Sequence, residues 1–197
     1  MFNSTNYWID RYEKGQTSGN GSYGFLADYK SDFINNYIVE NNIKSLVEYG
    51  CGDGNQLNLI KCDKVFGLDV SKKAIEKCQL LMPDRKFICL SDENFIDEKT
   101  DLLLSLDVIY HLIEDSIYEK YIENIVNHGS EHLIIYSANY EDSTEAFAQH
   151  VKPRKFTEDK KLTERYELKT FVKNKYPSKN HKKGSFSDWY IFKIKKW

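Results

Sequence analysis

A glycine-rich segment at residues 45–54 constrains the fold of this chain more than any other feature. It reads Ser-Leu-Val-Glu-Tyr-Gly-Cys-Gly-Asp-Gly, so a short apolar run leads into Glu48 and then into Gly50, Gly52 and Gly54. Glycine tolerates backbone conformations that other residues avoid, and it lets the backbone approach a neighbouring group closely. The pattern therefore predicts a buried strand that runs into a tight turn lying against a ligand.

The next apolar run ends in an acidic residue. Residues 65–68 read Val-Phe-Gly-Leu and lead into Asp69, fifteen residues past Gly54. An acid at the tip of the second strand of a parallel sheet is placed to bind the two hydroxyls of a ribose. Together, the glycine turn and Asp69 predict a site for a cofactor that contains a nucleoside.

The turn does not fit the dinucleotide pattern G-x-G-x-x-G/A. The third small residue of that pattern would fall at Asn55, whereas Gly54 comes one place early. Asp53 lies inside the turn, and a carboxylate there would repel a pyrophosphate. It would suit a phosphate-free ligand with a positive centre. S-adenosyl-L-methionine, which joins adenosine, a sulfonium and an amino-acid tail, is such a ligand.

Three segments resemble the motifs of class I S-adenosylmethionine-dependent methyltransferases. Residues 48–54 resemble the first motif, residues 67–71 the second, and residues 101–112 the motif of the fourth strand. In order and spacing, the resemblance covers roughly residues 44–137. It implies S-adenosyl-L-methionine as the cofactor, methyl transfer as the reaction, and a seven-stranded, Rossmann-like sheet.

Strands alternate with helices along the chain, which predicts an α/β fold. This order implies a mostly parallel sheet with helices on both faces. The last two strands, at about 166–172 and 186–194, arrive without a clear helix between them, which predicts an antiparallel edge. Helices are expected at about 54–61, at 71–81 after a Ser71 cap, and after an Asp115 cap until Gly129.

Length and composition predict one cytoplasmic domain over residues 1–197. No apolar run reaches the roughly 20 residues that a membrane span needs, and the first residues are too polar for a signal peptide. The scattered histidines predict no metal site, and the oligomeric state is left open. No C-x-x-C pair occurs, so reduced thiols are expected at Cys51, Cys62, Cys78 and Cys89.

The charge is unevenly distributed. Residues 150–197 carry a balance of +10, whereas residues 1–149 carry −12. Either the basic part is ordinary solvated surface, or it forms a positive wall that faces an anionic substrate.

The resemblance and the topology together assign the cofactor site to the carboxyl ends of the strands. The glycines would approach the amino-acid tail and adenosine, and Asp69 would take the ribose. Glu48 would order the loop or a water, or contact the cofactor directly. Asp92 would accept from the adenine amino group, unless it is only a turn-forming residue. The predicted cofactor-binding residues are Arg11, Tyr12, Glu48, Gly50, Gly52, Gly54, Asp69, Asp92 and Leu106.

Residues 1–24 combine a short aromatic helix with a glycine-rich stretch. One interpretation is an N-terminal helix followed by a loose loop. The other is a lid, in which Arg11 pairs with the methionine carboxylate while Trp8, Tyr12 and Tyr23 wall off the site. Methyl transfer benefits from exclusion of water, and the glycines would supply the hinge.

The predicted catalytic residues follow the fourth strand. His111 is the first candidate for a general base, because its unperturbed pKa lies near working pH. A core or capping histidine is the equally open alternative. Asp107 is the second candidate, either as the base or as the residue that orients His111. Tyr110 lies beside them and is predicted to contact the acceptor, as is Tyr23.

His150 and Arg154 form a second constellation after the fifth strand. They are predicted to clamp a phosphate-like group, although a solvent-facing basic turn is the alternative. With the N-terminal segment, this region is similar to small bacterial methyltransferases of surface or capsular polysaccharide biosynthesis. That resemblance implies O-methylation of a small anionic or carbohydrate acceptor, such as a sugar, a sugar phosphate or a phosphoramidate.

Three other functions compete with this interpretation. A nucleic-acid methyltransferase is favoured by the basic C-terminal third, but no Asp/Asn-Pro-Pro-Tyr site or Pro-Cys nucleophile follows the fourth strand. A nucleotide-dependent dehydrogenase is disfavoured by Asn55. A non-catalytic module that binds S-adenosylmethionine is the third.

Overall fold

Seven strands form one sheet in the computed structural model, which describes residues 2–92, 98–141, 148–179, 181 and 183–196. The strands are β1 (Ser45–Tyr49), β2 (Lys64–Asp69), β3 (Lys86–Cys89), β4 (Leu102–Leu106), β5 (His132–Ser137), β6 (Tyr166–Val172) and β7 (Asp188–Ile194). Their order across the sheet is β3-β2-β1-β4-β5-β7-β6.

The first five strands run parallel, and β7 pairs antiparallel with both β5 and β6. The predicted parallel sheet with an antiparallel edge is therefore confirmed. β1 lies between β2 and β4, with Glu48 opposite Gly67 on one side and Leu104 on the other. Chain order reverses beside β1, and this is the point where an open α/β sheet binds ligands.

Helices cover both faces of the sheet. They are α1 (Ser4–Glu13), α2 (Gly24–Glu40), α3 (Asn55–Asn58), α4 (Lys72–Leu81), α5 (Asp115–His128) and α6 (Lys160–Arg165). Leu102 and Leu104 pack on the face covered by α2 and α4, whereas Leu103 packs on the face covered by α5 and α6. This alternation follows from the two-residue period of a strand, and it gives the sheet two apolar cores.

Some helix boundaries differ from the prediction. The helix expected at 54–61 is only α3, because Asn58 is a weak helix former and the Asn35 side chain bonds to Leu59 O and Lys61 N, where helical bonds would continue. Asp115 does not cap α5, since Glu114 occupies the N-cap position. α6 was not predicted.

The other helix signals are confirmed. Ser71 caps α4 by accepting a hydrogen bond from Ala74 N at 3.3 Å, and Gly129 ends α5 with φ 65°. All four cysteines are free thiols. Within the described residues, every helix is too short or too polar to cross a lipid bilayer.

Candidate active site

A cavity of about 480 Å³ opens at the carboxyl ends of β1, β2 and β4. Its floor comes from the ends of these strands and from the glycine turn. Its cover comes from α1 and from residues 18–22. The cavity brings together most of the predicted cofactor site: Arg11, Tyr12, Glu48, Gly50, Gly52, Asp69 and Leu106.

The glycines of the turn leave room for protein groups as much as for a ligand. All three have positive φ, at 83°, 56° and 80° for Gly50, Gly52 and Gly54. A Cβ on Gly50 would lie 2.6 Å from Val108 Cγ2, and a Cβ on Gly52 would lie 2.6 Å from the Tyr12 hydroxyl. The close approach expected for a ligand is therefore made partly by the protein itself.

Gly54 differs from the other two glycines because it lies outside the cavity lining. A Cβ there would lie 2.9 Å from Cys78 Sγ and 2.8 Å from Met82 Cε. Gly54 thus lets the turn pack closely against α4 and its C-cap, which differs from the cofactor contact that we expected.

Asp69 ties the glycine turn to the start of α4. Its Oδ2 accepts a hydrogen bond from Gly52 N at 2.9 Å, and its Oδ1 accepts one from Ser71 N at 2.9 Å. Burial raises the pKa of Asp69 to about 6, although these backbone N–H groups oppose the rise. The carboxylate is held in one orientation at the cavity wall, with lone pairs left for further donors.

Glu48 is buried and lines the cavity, and among the described residues its Oε2 has no hydrogen-bond partner. Burial raises the pKa of this carboxyl to about 8, against the effect of the positive charge of Lys30. A buried polar atom without a partner is uncommon in native proteins. At a cavity wall, such an atom is placed to meet a donor on a bound molecule.

The N-terminal segment, residues 4–23, is fastened to the glycine turn by Asp53. The Asp53 carboxylate accepts from Ser18 N at 2.9 Å, from Ser18 Oγ at 2.8 Å and from the Tyr23 hydroxyl at 2.8 Å. Ser18 Oγ also lies 2.9 Å from the Tyr12 hydroxyl. We expected Asp53 to face a positive ligand. Its carboxylate instead turns away from the cavity and binds the N-terminal segment.

The other predicted residues of the segment have different positions. Arg11 lines the cavity, donates from Nε to Thr17 O at 2.6 Å, and lies 5.6 Å from the Trp8 ring centroid. Tyr23, predicted to contact the acceptor, lies outside the lining because its hydroxyl is bound to Asp53.

The side chain of Asp92, which was predicted to accept from the adenine amino group, lies outside the described residues.

His111 lies in a short turn after β4 and lines the cavity. Its Nδ1 is 2.6 Å from His150 O, so Nδ1 carries the proton and Nε2 keeps a free lone pair. Burial lowers the pKa of His111 to about 4, which keeps the ring neutral near pH 7. The Trp8 ring meets it edge-on at 4.8 Å.

Aromatic rings surround this end of the cavity. His150 stacks on Tyr7 at 4.9 Å between centroids, and the Tyr110 ring lies 4.4 Å from His111 and 4.8 Å from Phe186. All five line the cavity. The predicted acceptor residues Tyr110 and His150 are thus brought together, while Tyr7 and Phe186 were not predicted.

Asp107 is committed to an ion pair. Its Oδ2 is 2.7 Å from Lys30 Nζ, and its Oδ1 accepts from Ser187 Oγ at 2.8 Å. We expected Asp107 to act as a base or to orient His111. In the structure, the Nδ1 of His111 instead donates to a backbone carbonyl, and the Asp107 carboxylate accepts from protein donors that include Lys30 and Ser187.

Arg154 lies outside the cavity lining and does not form the predicted phosphate clamp with His150. Its NH2 group donates to Leu112 O at 2.8 Å and to Ile113 O at 2.9 Å, and its NH1 group pairs with Asp115. The guanidinium also covers the Tyr118 ring at 4.7 Å. These partners take up N–H donors of both terminal nitrogens of the guanidinium.

The family described as "Methyltransferase domain" matches residues 47–133, which run from β1 into β5. No curated protein matches the sequence.

Several solved structures share the fold. The N-methyltransferase NodS from Bradyrhizobium japonicum, in complex with S-adenosyl-L-homocysteine, has a TM-score of 0.75 and 19% identity, covering 98% of this chain and 100% of that chain. Magnesium protoporphyrin IX methyltransferase from Synechocystis, with bound S-adenosylmethionine, has a TM-score of 0.68 and 15% identity, covering 100% and 99%. An S-adenosylmethionine-dependent methyltransferase from Clostridium acetobutylicum has a TM-score of 0.63 and 18% identity, covering 98% and 100%.

At these identities, the structural likeness establishes the fold. The chain is therefore an enzyme whose residues 47–133 match a methyltransferase domain and whose sheet has the Rossmann-like fold of these structures.

Proposed function

We propose that this enzyme binds S-adenosyl-L-methionine in the cavity and transfers its methyl group to a small acceptor. The charge of the cavity carries the proposal. Three carboxyl groups line it, those of Glu48, Asp69 and Asp107, whereas Arg11 is the only lysine or arginine among its described lining residues. Such a wall offers a pyrophosphate only one cation, and its carboxyl oxygens suit a phosphate-free ligand with cationic groups.

The residues at the floor fit this ligand. S-adenosylmethionine supplies, when bound, an electrophilic methyl group on a cationic sulfur. Asp69 would hold the ribose hydroxyls, because its oxygens are fixed by Gly52 and Ser71 and keep free lone pairs. The unpartnered Glu48 oxygen would take the amino group, and Arg11 at the cover would take the carboxylate.

His111 would act as the general base. The carbonyl of His150 fixes the tautomer, so Nε2 is the ring nitrogen that can accept a proton from an acceptor hydroxyl. A lowered pKa keeps that nitrogen unprotonated at neutral pH, at the cost of weaker basicity. The closed N-terminal segment would exclude water from the proton transfer.

The aromatic end of the cavity favours an uncharged reacting group with a flat or apolar face. We propose a carbohydrate hydroxyl, on a sugar or a sugar phosphate such as those of surface polysaccharides. Residues 173–187 hold five lysines and no acid, and Phe186 in this stretch lines the cavity. The basic charge of this stretch would attract an anionic group on the acceptor.

Two measurements test the proposal. Calorimetry with S-adenosylhomocysteine, NAD and ATP should give clear binding of the first alone. A methyl-transfer screen with free sugars, sugar phosphates, nucleotide-linked sugars and RNA should then give product with a carbohydrate and none with RNA. Tight NAD binding without S-adenosylhomocysteine binding would refute the donor assignment, and transfer to RNA alone would refute the acceptor assignment.

A further inference from the structure

A buried ammonium group is paired with an acid of the cavity lining. Lys30 is on α2, its side chain is only 1% exposed, and its Nζ donates to Asp107 Oδ2 at 2.7 Å. Lysine is almost never fully buried unless it is paired, because the ammonium loses its hydration. The position of Lys30 therefore depends on the carboxyl groups around it.

Asp107 holds the turn that carries the acceptor residues. It has φ 58°, an uncommon conformation for a residue with a side chain, and its N–H donates to Tyr136 O at 2.8 Å. Lys30 and Ser187 bind one carboxyl oxygen each. These contacts keep the strained residue in place, and His111 follows four residues later.

Glu48 lies one residue before the end of β1, beside β4, the strand that leads into Asp107, and both acids line the cavity. Burial raises the pKa of Glu48 to about 8, and the positive charge of Lys30 opposes this rise. Among the described residues, five titratable groups interact electrostatically with Glu48, and Lys30 is the only cation among them. The five are Lys30 from α2, Cys51 of the glycine turn, Asp69 from β2, Asp107 after β4, and Tyr121 from α5.

We propose that Lys30 is a positioning residue, the shared counter-cation of Asp107 at the acceptor end and of Glu48 at the donor end. The inference rests on the proposed function, because that function assigns Glu48 to the donor. Lys30 does not line the cavity. It acts by fixing the Asp107 turn and by setting the pH range in which Glu48 is ionised and attracts the donor's amino group.

The test is the affinity for S-adenosylhomocysteine, measured by calorimetry from about pH 6 to about pH 9.5. In the wild type, affinity should rise as Glu48 ionises, with a midpoint near pH 8. Lys30→Met should move this midpoint up by about one pH unit, because the cation that favours the carboxylate is gone. Lys30→Arg should restore it. The exposed Lys44→Met is the matched control. Protonation of the ligand itself also changes with pH, but equally for all variants.

Lys30→Met leaves the Asp107 charge buried and unpaired, so it is expected to lower stability. The double variant Lys30→Met/Asp107→Asn removes both charges and should keep the fold. It should still move the midpoint upward, by less, because loss of the Asp107 charge acts in the opposite direction. An unmoved midpoint in the folded variants, or a wild-type affinity independent of pH, would overturn the role of Lys30. Absence of binding at every pH would overturn the proposed function as well.

Discussion

The carboxylate of Asp53 accepts hydrogen bonds from both the backbone N–H and the hydroxyl of Ser18, at 2.9 and 2.8 Å. These two contacts, with the one from Tyr23, fasten the cover of the cavity to the turn that forms its floor. The same contacts exist only while the N-terminal segment is closed. Opening the cavity must therefore break the Asp53 bonds.

Asp53→Ala should loosen the N-terminal segment, because three hydrogen bonds to a carboxylate are lost. We expect S-adenosylhomocysteine to dissociate roughly tenfold faster or more in stopped flow. Cleavage by trypsin after Arg11 or Lys14 should also accelerate. Asp10→Ala, an exposed change on the same segment, is the control. Equal dissociation rates for wild type and Asp53→Ala would show that the clamp does not govern release.

Asp69→Asn should weaken S-adenosylhomocysteine binding by roughly tenfold or more, because a charge-assisted acceptor for the ribose is lost. The amide also accepts poorly from both Gly52 N and Ser71 N at once. Calorimetry measures the affinity, and the exposed Asp84→Asn is the control. An unchanged affinity in the folded variant would remove the ribose role.

His111→Ala should lower turnover by roughly 10²- to 10⁴-fold on the acceptor found in the screen, while donor affinity stays the same. Because burial lowers the pKa of His111 to about 4, the base form persists well below pH 6.5. The turnover of the wild type should accordingly show no inflection near pH 6.5. Normal turnover in the variant would transfer the role of base to another group.

Much of the fold follows from short-range patterns. The boundaries of β1 and β2 agree with the apolar runs that predicted them, since a buried parallel strand is a continuous apolar segment. The positions of the glycine turn and of Asp69 could likewise be predicted from the residues around them. These elements place the floor of the cavity.

The cover and its supports were not predictable in the same way. Ser18 and Asp53 are 35 residues apart, and Lys30 and Asp107 are 77 apart. Such pairs form because tertiary packing brings the strand ends, α2 and the N-terminal segment together. Their types alone gave no sign of pairing, so Asp53 was assigned to a ligand and Asp107 to His111.

Arg154→Ala should destabilise the protein by roughly 2 to 3 kcal/mol, because the carbonyls of Leu112 and Ile113 lose a charged donor. Arg154→Lys should recover only part of this loss, since an ammonium lacks the planar fork. Denaturant unfolding measures both, and the exposed Lys152→Ala is the control. A raised acceptor Michaelis constant with unchanged stability would instead support the phosphate clamp.

Glu48→Gln should change how stability depends on pH. The native carboxyl keeps its proton up to about pH 8, whereas the unfolded one loses it near 4.5. The unfolded state then binds fewer protons, so stability falls as pH rises through this range, by roughly 3 kcal/mol between about pH 5 and 8. Glu48→Gln should lack this contribution in denaturant titrations. If the stability of wild type and of Glu48→Gln changed with pH in the same way, Glu48 would not keep its proton in the native state.

The space above Gly52 has a consequence for engineering. The Tyr12 hydroxyl and Ser18 already occupy the place of a Cβ at this position. A turn imported from another transferase with a larger residue there would collide with the native cover. Such a graft would succeed only if the donor enzyme's own N-terminal helix were transplanted with it, so the two pieces form one exchangeable module.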